Sequence, residues 1–425
     1  MTAPTLPAAD LPDLPDVADL AALADPAAYD LTDPQTFEDN DPHRLWRPFR
    51  AHNPVFWHAA RDGKPGFWVL TRYDDIMTAY RDNKRYTSEQ GNVLSTLLLG
   101  EDSAAGKMLA VTDGPRHREI RNLMMKSFSP RVLAPVVENV QKLTDRLVSE
   151  AVEEGEVDFV TAVADRIPIH SIGDLMGIPA EDREQLVDWN AQTLSRYSAD
   201  DGEEVSLMAR NEIILYISGL MAERRRNPGE DVLSTLATAT IDGEPLTEEE
   251  IIYNAYSLIL GGDESSRATA SGIVHAFSQY GDQWRRLKNA EVTLESATEE
   301  VMRWTTPTMH FGRHALVDIP IRDHVVKAGE IVTLWNSSAN FDEDVFADPY
   351  TFDLARTPNK HVSFGHGPHF CLGAYLGRVH MISMLESLRT RVADIELLAP
   401  PTRLFSNFAN GHATLKVRLT GERSS

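Results

Sequence analysis

The 425-residue chain contains a single cysteine, Cys371, which excludes an internal disulfide and any zinc or iron–sulfur site built from several thiolates. Long apolar runs are absent too: nothing approaches the roughly 18 uninterrupted apolar residues of a membrane span, and MTAPTLPAAD opens with neither a basic stretch nor an apolar core. A cytoplasmic protein without a membrane anchor is expected. Positive charge is scarce, with 41 Lys and Arg against 64 Asp and Glu, and the net charge of −23 opposes contact with nucleic acid or an anionic bilayer. The interior has no Gly/Ser-rich or Pro-rich linker; Pro and Asp crowd only the start. The expected organisation is a flexible acidic, Pro-rich arm over 1–35 and one large domain over 36–425.

Helical periodicity dominates what is present. Helices are expected near 115–128, 134–153, 182–197, 203–226, 248–280 and 291–304. Strand-like pieces are PVFWHA with GFWVLTRY, followed by a helix that Asp74 can cap, and IPIRDHVVKAGEIVTLW, read as a strand pair turning at Gly329. The fold class is mainly α with small β-sheets. PLTEEE predicts a capping box between Thr247 and Glu250, and no proline interrupts the pattern from there to about residue 280. Such a helix would be about 50 Å long, enough to cross the domain. In its middle, LILGGDESSRA places two adjacent glycines, each about 1 kcal/mol poorer than alanine in a helix, so something must lie against the backbone there.

Cys371 sits in FGHGPHFCLG and admits three readings: a small buried hydrophobe, a nucleophile paired with one of the 14 histidines, or an iron ligand. Gly365, Gly367 and Gly373 permit a tight loop with positive φ and free N–H groups, and the following LGAYLGRVHMISMLESL is helical, which places the sulfur at a helix N-terminus where a thiolate is stabilised. That surrounding favours the iron ligand.

The segment resembles the haem-ligand signature of the cytochrome P450 monooxygenases, Phe-x-x-Gly-x-x-x-Cys-x-Gly, with Phe364, Gly367, Cys371 and Gly373 at the fixed positions. EEVMRW supplies the family's Glu-x-x-Arg pair as Glu300 and Arg303, and TDGPRHREIR its Asp-x-Pro-x-His-x-x-x-Arg element with His117 and Arg121. The resemblance implies a P450-like fold whose long central helix crosses a haem b, with Cys371 as iron ligand and His117, Arg121, Arg313 and His369 as propionate contacts. It places Gly261 and Gly262 against the cofactor, Glu264 as proton relay and Ser265 as the hydroxyl that holds a water. An acid and a hydroxyl are both needed because splitting dioxygen consumes protons that must enter a dry pocket. Two departures stand out: Ser265 replaces the usual threonine and loses the methyl that restricts χ1, and Thr351 stands where Arg or His often completes the Glu300–Arg303 network, with Arg356 nearby to compensate.

The expected reaction is hydroxylation, with epoxidation or oxidative coupling by the same machinery, of a mostly apolar small molecule, a secondary-metabolite intermediate. Val93, Leu94, Leu97, Leu98, Met309 and Phe408 are expected to line the pocket, and Thr308 and His310 to orient polar groups or satisfy backbone. No GxGxxG follows a strand, so electrons must come from outside: by resemblance, an acidic ferredoxin served by a ferredoxin reductase, docking on Arg116, Arg118, Lys360, His361 and Arg378. Alternatives are a peroxide-driven oxygenase, a haem sensor or carrier without turnover, and a cysteine hydrolase.

Overall fold

A computed structural model describes residue 21 and residues 23–100, 102–193 and 202–422. Helices occupy the expected places: Gly114–Ser127, Pro130–Glu154, Arg183–Thr193, Gly202–Arg226, Glu248–Gln279 and Leu294–Thr305. The last four positions of the expected 182–197 helix lie outside the described residues. Thr247 and Glu250 close the capping box, and the 32-residue central helix that follows is about 48 Å long at the usual rise per residue. Helices Arg166–Met176, Gly202–Arg226, Leu294–Thr305 and Ala374–Arg391 pack against it, and its buried Ile251, Ile259, Ile273 and Phe277 join the largest apolar core. Among the described residues one helix, Glu204–Arg226, is long and apolar enough by composition to cross a bilayer, yet its Ile213 and Ile217 are buried in that core.

The main sheet has five strands in the order Val55–His58, Phe67–Leu70, Ile331–Trp335, His310–Ala315 and Tyr86–Thr87. All pairs are antiparallel except the one joining Val332 to Trp68. This corrects the expected hairpin about Gly329. Ile319–Ile321 and His324–Val326 form their own hairpin, turning at Arg322 with φ 50°, while Gly329, with φ 87°, turns the chain into Ile331–Trp335, a central strand buried along its whole length. Asp74 does not cap its helix either: Arg72 is the cap residue, and Asp342 accepts from the Tyr73 N–H at 2.8 Å.

Within the expected arm, Ala24, Tyr29 and Leu31 are packed into a core, while Asp25, Ala27 and Ala28 stay exposed. Tyr29 and Leu31 are buried with Phe37, Trp46 and Trp335, and the Leu31 N–H donates to His58 Nε2 at 3.2 Å.

Behind the cysteine loop lies a buried ionic network. Arg303 clasps both oxygens of Glu300 at 2.8 Å, and Arg356 Nε approaches Glu300 Oε2 to 3.1 Å while Asn359 donates to it at 3.0 Å. Arg356 thus completes the network, and Thr351 contributes only its carbonyl.

Candidate active site

The loop that presents Cys371 is shaped by two glycines in left-handed conformation, Gly365 with φ 65° and Gly367 with φ 71°. Gly367 is sterically required, since a Cβ there would lie 2.3 Å from the Tyr80 carbonyl oxygen. Gly373 departs from the expected positive φ: at −85° it is ordinary backbone, it caps helix Ala374–Arg391, and its N–H points at the sulfur. The Cys371 N–H donates to the Phe364 carbonyl at 2.9 Å, and the Phe364 ring is held 4.5 Å from the Arg378 guanidinium. Cys371 is exposed, although the surrounding protein desolvates its sulfur. Burial pushes its thiol up, opposed by the Gly373 N–H, Arg121 and Arg378. A coordinated cation reverses such a balance and holds the thiolate.

Next to the loop, His117, Arg121, Arg313 and His369 come together. The rings of His117 and His369 are 4.4 Å apart, and Arg121 donates to the Phe370 carbonyl at 2.7 Å. His117 is 3 % exposed and its Nε2 has no hydrogen-bond partner among the described residues. Arg313 is buried, donates to the Gly312 carbonyl at 2.7 Å, and pairs with no carboxylate among the described residues. The nearest acid is Asp113, which accepts from His369 at 2.8 Å, from the Ser88 N–H at 2.6 Å and from Thr87. Burial alone would raise its pKa, but these bonds hold it at about 2. Burial, reinforced by His369 and Arg121, pushes His117 down to about 4, and burial also lowers Arg313. Two guanidiniums and two imidazoles around one carboxylate form a cluster short of negative charge, and an orphaned imidazole nitrogen marks where an acceptor belongs.

On the central helix, the two adjacent glycines divide their work. A side chain at Gly261 would meet nothing within 4 Å, whereas a Cβ at Gly262 would lie 2.7 Å from Ile172 Cδ1. Only Gly261 opens a space; Gly262 lets helix Arg166–Met176 approach. Ser265, one turn beyond Gly261, donates to the Gly261 carbonyl at 3.1 Å. Glu264, expected as the proton relay, is held in an ion pair. It is 8 % exposed and ion-paired with Arg267, which is 0 % exposed, donates to the His412 carbonyl at 3.0 Å, and lies 3.4 Å from Asp165. Asp263 points the other way, to Asn190 of helix Arg183–Thr193. The three-residue spacing of Glu264 and Arg267 was a visible signal for this pair; Asp165, 102 positions from Arg267, was not.

The expected pocket residues separate into two groups. Leu94, Leu97 and Met309 are buried in the core with Trp46 and Trp335, and His310 accepts from the Leu94 N–H at 3.2 Å while packing on Trp335 and Phe408. These four are structural, because the chain between Val93 and Leu99 folds into a short helix whose inner face completes that core. Val93, Leu98, Thr308 and Phe408 stay partly exposed. Of the expected docking cations, Arg118 and Lys360 are exposed; Arg116 is tied to Glu250, and His361 and Arg378 to Glu299 at 3.1 and 2.6 Å.

A thiol, a cation cluster short of anions and an open helix face fit a flat, dicarboxylated iron macrocycle, the site of a haem-thiolate protein. Comparison with known proteins agrees. The family model for cytochrome P450 matches residues 203–389. Cytochrome P450 NovI of Streptomyces niveus is 43 % identical over 92 % of this chain and 96 % of its own, and a steroid C26-monooxygenase of Mycobacterium tuberculosis is 30 % identical over 93 % and 94 %. The crystal structure of P450 OxyD, involved in the biosynthesis of vancomycin-type antibiotics, superposes with a TM-score of 0.85 at 30 % identity, covering 92 % of this chain and 100 % of that one. The chain belongs to the cytochrome P450 family. It is a haem-thiolate monooxygenase with iron protoporphyrin IX as cofactor, taking electrons from redox partners and acting on a small molecule with dioxygen.

Proposed function

We propose that Cys371 would ligate the iron and that His117, Arg121, Arg313 and His369 would bind the two propionates, with Phe364 and Gly373 shaping the ligand loop and Gly261 leaving room on the central helix. The observation that carries this reading is the buried cation cluster with its orphaned His117 Nε2 beside the exposed sulfur of Cys371. When bound, the haem supplies dioxygen activation, and the thiolate ligand favours cleavage of the O–O bond. Ser265, whose hydroxyl proton is given to the Gly261 carbonyl, holds a water near Gly261 by accepting from it on the free lone pairs of its oxygen, and Glu264 passes protons to that water after turning from Arg267.

The substrate is a mostly apolar secondary-metabolite intermediate, entering past Val93, Leu98, Thr308 and Phe408; what supports this class is the likeness to OxyD, with partly exposed apolar side chains on these segments. Hydroxylation is the main reaction. An acidic ferredoxin, reduced by its own reductase, delivers electrons at the face carrying Arg118 and Lys360, in the cytoplasm. The whole described chain acts as one domain.

The test is the absorption spectrum of the dithionite-reduced protein under carbon monoxide, for wild type and Cys371→Ser. A strongly red-shifted Soret band that vanishes in the variant is expected; the same band in both would remove Cys371 from the iron.

A further inference from the structure

Three helices meet at His380, a side chain with no part in the site described above. It is 3 % exposed and lies on helix Ala374–Arg391, which continues from the ligand loop. Its Nε2 is 2.8 Å from Ser171 Oγ on helix Arg166–Met176, and its Nδ1 is 3.1 Å from Ser266 Oγ on the central helix. The proton positions follow from the bonds. Ser171 donates its only hydroxyl proton to the Pro168 carbonyl at 3.0 Å, so towards His380 it accepts, and the imidazole carries its proton on Nε2. Nδ1 is then a bare acceptor, and Ser266 donates to it. Burial, which pushes the imidazole down to about 4, keeps both roles in place at neutral pH.

Ser266 follows Ser265 directly, and one turn before Ser266 stands Gly262, pressed against Ile172, the neighbour of Ser171. The Gly262–Ser266 face of the central helix is therefore clamped, while the adjoining Gly261–Ser265 face is open. Adjacent glycines make the helix most deformable at this point, and the hydroxyls of Ser265 and Thr269 turn back onto its carbonyls at 3.1 and 2.8 Å, which loosens it further.

We propose that His380 is a positioning residue for dioxygen activation: as a neutral Nε2–H imidazole it pins Ser266, and with it Ser265, by tying the central helix to the helix that leaves the Cys371 loop. Without the tie the double-glycine segment shifts and Ser265 loses its hold on water. Dioxygen then leaves as hydrogen peroxide, taking two electrons and two protons, instead of being reduced to two waters with four of each. The inference rests on the assignment of Ser265 above.

The experiment uses the substrate-free holoenzyme, driven by a plant-type ferredoxin and its reductase, and measures the share of reducing equivalents recovered as hydrogen peroxide. His380→Leu and Ser266→Ala should raise the peroxide-to-water ratio at least about threefold, the scale of one hydrogen bond, with the carbon monoxide band unmoved. His380→Gln, which keeps one acceptor and one donor, should return it towards wild type. Nitrogen NMR of histidine-labelled protein in the reduced carbon monoxide form should show a neutral imidazole protonated on Nε2 that is lost in His380→Gln. Ser265→Ala is measured alongside: a raised ratio there with silent His380→Leu and Ser266→Ala overturns the tie alone, and a silent Ser265→Ala overturns the assignment of Ser265 and this inference with it. A proton found on Nδ1 also overturns the tie. Should His380→Leu not fold, Ser266→Ala and His380→Gln decide by the same ratio.

Discussion

Glu300 is where a conservative substitution should do the most damage. Its fully buried carboxylate accepts from Arg303 twice at 2.8 Å, from Arg356 at 3.1 Å, from Asn359 at 3.0 Å and from the Asp353 N–H at 3.0 Å. In Glu300→Gln the amide keeps one acceptor oxygen and turns two N–H donors towards guanidiniums that can only donate. Arg303, itself 0 % exposed, loses its counter-ion, and removing one partner of a buried pair costs about 3–5 kcal/mol. Against a total stability of about 5–15 kcal/mol, that is about a fifth or more of what holds such a domain together. The damage should reach the site, because Arg303 also donates to the Asn340 carbonyl at 2.9 Å, and Asn340 holds Ser363 at 2.9 Å and the Val362 N–H at 2.7 Å, just before the ligand loop. The assay is urea unfolding of the holoenzyme, followed by haem absorption and tryptophan fluorescence in parallel. Glu300→Gln should unfold at lower urea and release haem ahead of global unfolding. Glu299→Gln is the comparison, its partner Arg378 being a third exposed, and should lose about 1 kcal/mol. An unfolding free energy for Glu300→Gln within about 1 kcal/mol of wild type would refute the reasoning.

Two further outcomes follow from the same geometry. Gly367→Ala places a methyl 2.3 Å from the Tyr80 carbonyl at a φ of 71°, so the loop must move; reconstitution should yield little of the red-shifted carbon monoxide band, whereas Gly100→Ala, with a positive φ but open space, should load haem normally. Acid should destabilise the protein well before the carboxylates titrate. His380 falls from an unfolded pKa of 6.5 to about 4 in the fold, and His43 and His275 do the same, all chiefly through burial. The unfolded chain therefore binds the extra protons, and stability falls as pH drops from 6.5 towards 4, by about 3 kcal/mol for His380 alone. Asp113 and Glu299, held at about 2, stabilise above the ordinary carboxylate range and withdraw that support only at lower pH. Urea midpoints measured between about pH 7.5 and pH 4.5 should decline steadily, and a flat profile would show that these imidazoles are not buried neutral.

Much of this molecule is legible along the chain because the signals are local. A capping box spans four residues, and the 3.6-residue repeat repeats many times over the helix from Glu248 to Gln279. The ligand loop is equally compact: its glycines, phenylalanine and cysteine lie within ten positions. Strand His310–Ala315 was not legible, since HFGRHA shows no alternation, and its side chains are buried only because Ile331–Trp335 and Tyr86–Thr87 flank it. Leu94, Leu97 and Met309 were read as pocket walls because an apolar loop residue looks the same whether it faces a ligand or a core.

The sequence by itself determined where most of the long helices run, that one sulfur stands at a helix start in a glycine-rich loop, and that the cations needed beside it exist. Only the tertiary structure decided what each side chain faces. Gly261 and Gly262 are neighbours in the chain, yet about 100° around the helix separates open space from the Ile172 methyl. Asp113 and His369, Arg267 and Asp165, Ser171 and His380 find one another across many turns of chain, because packing, and not spacing, sets the direction in which a buried polar group must find its partner.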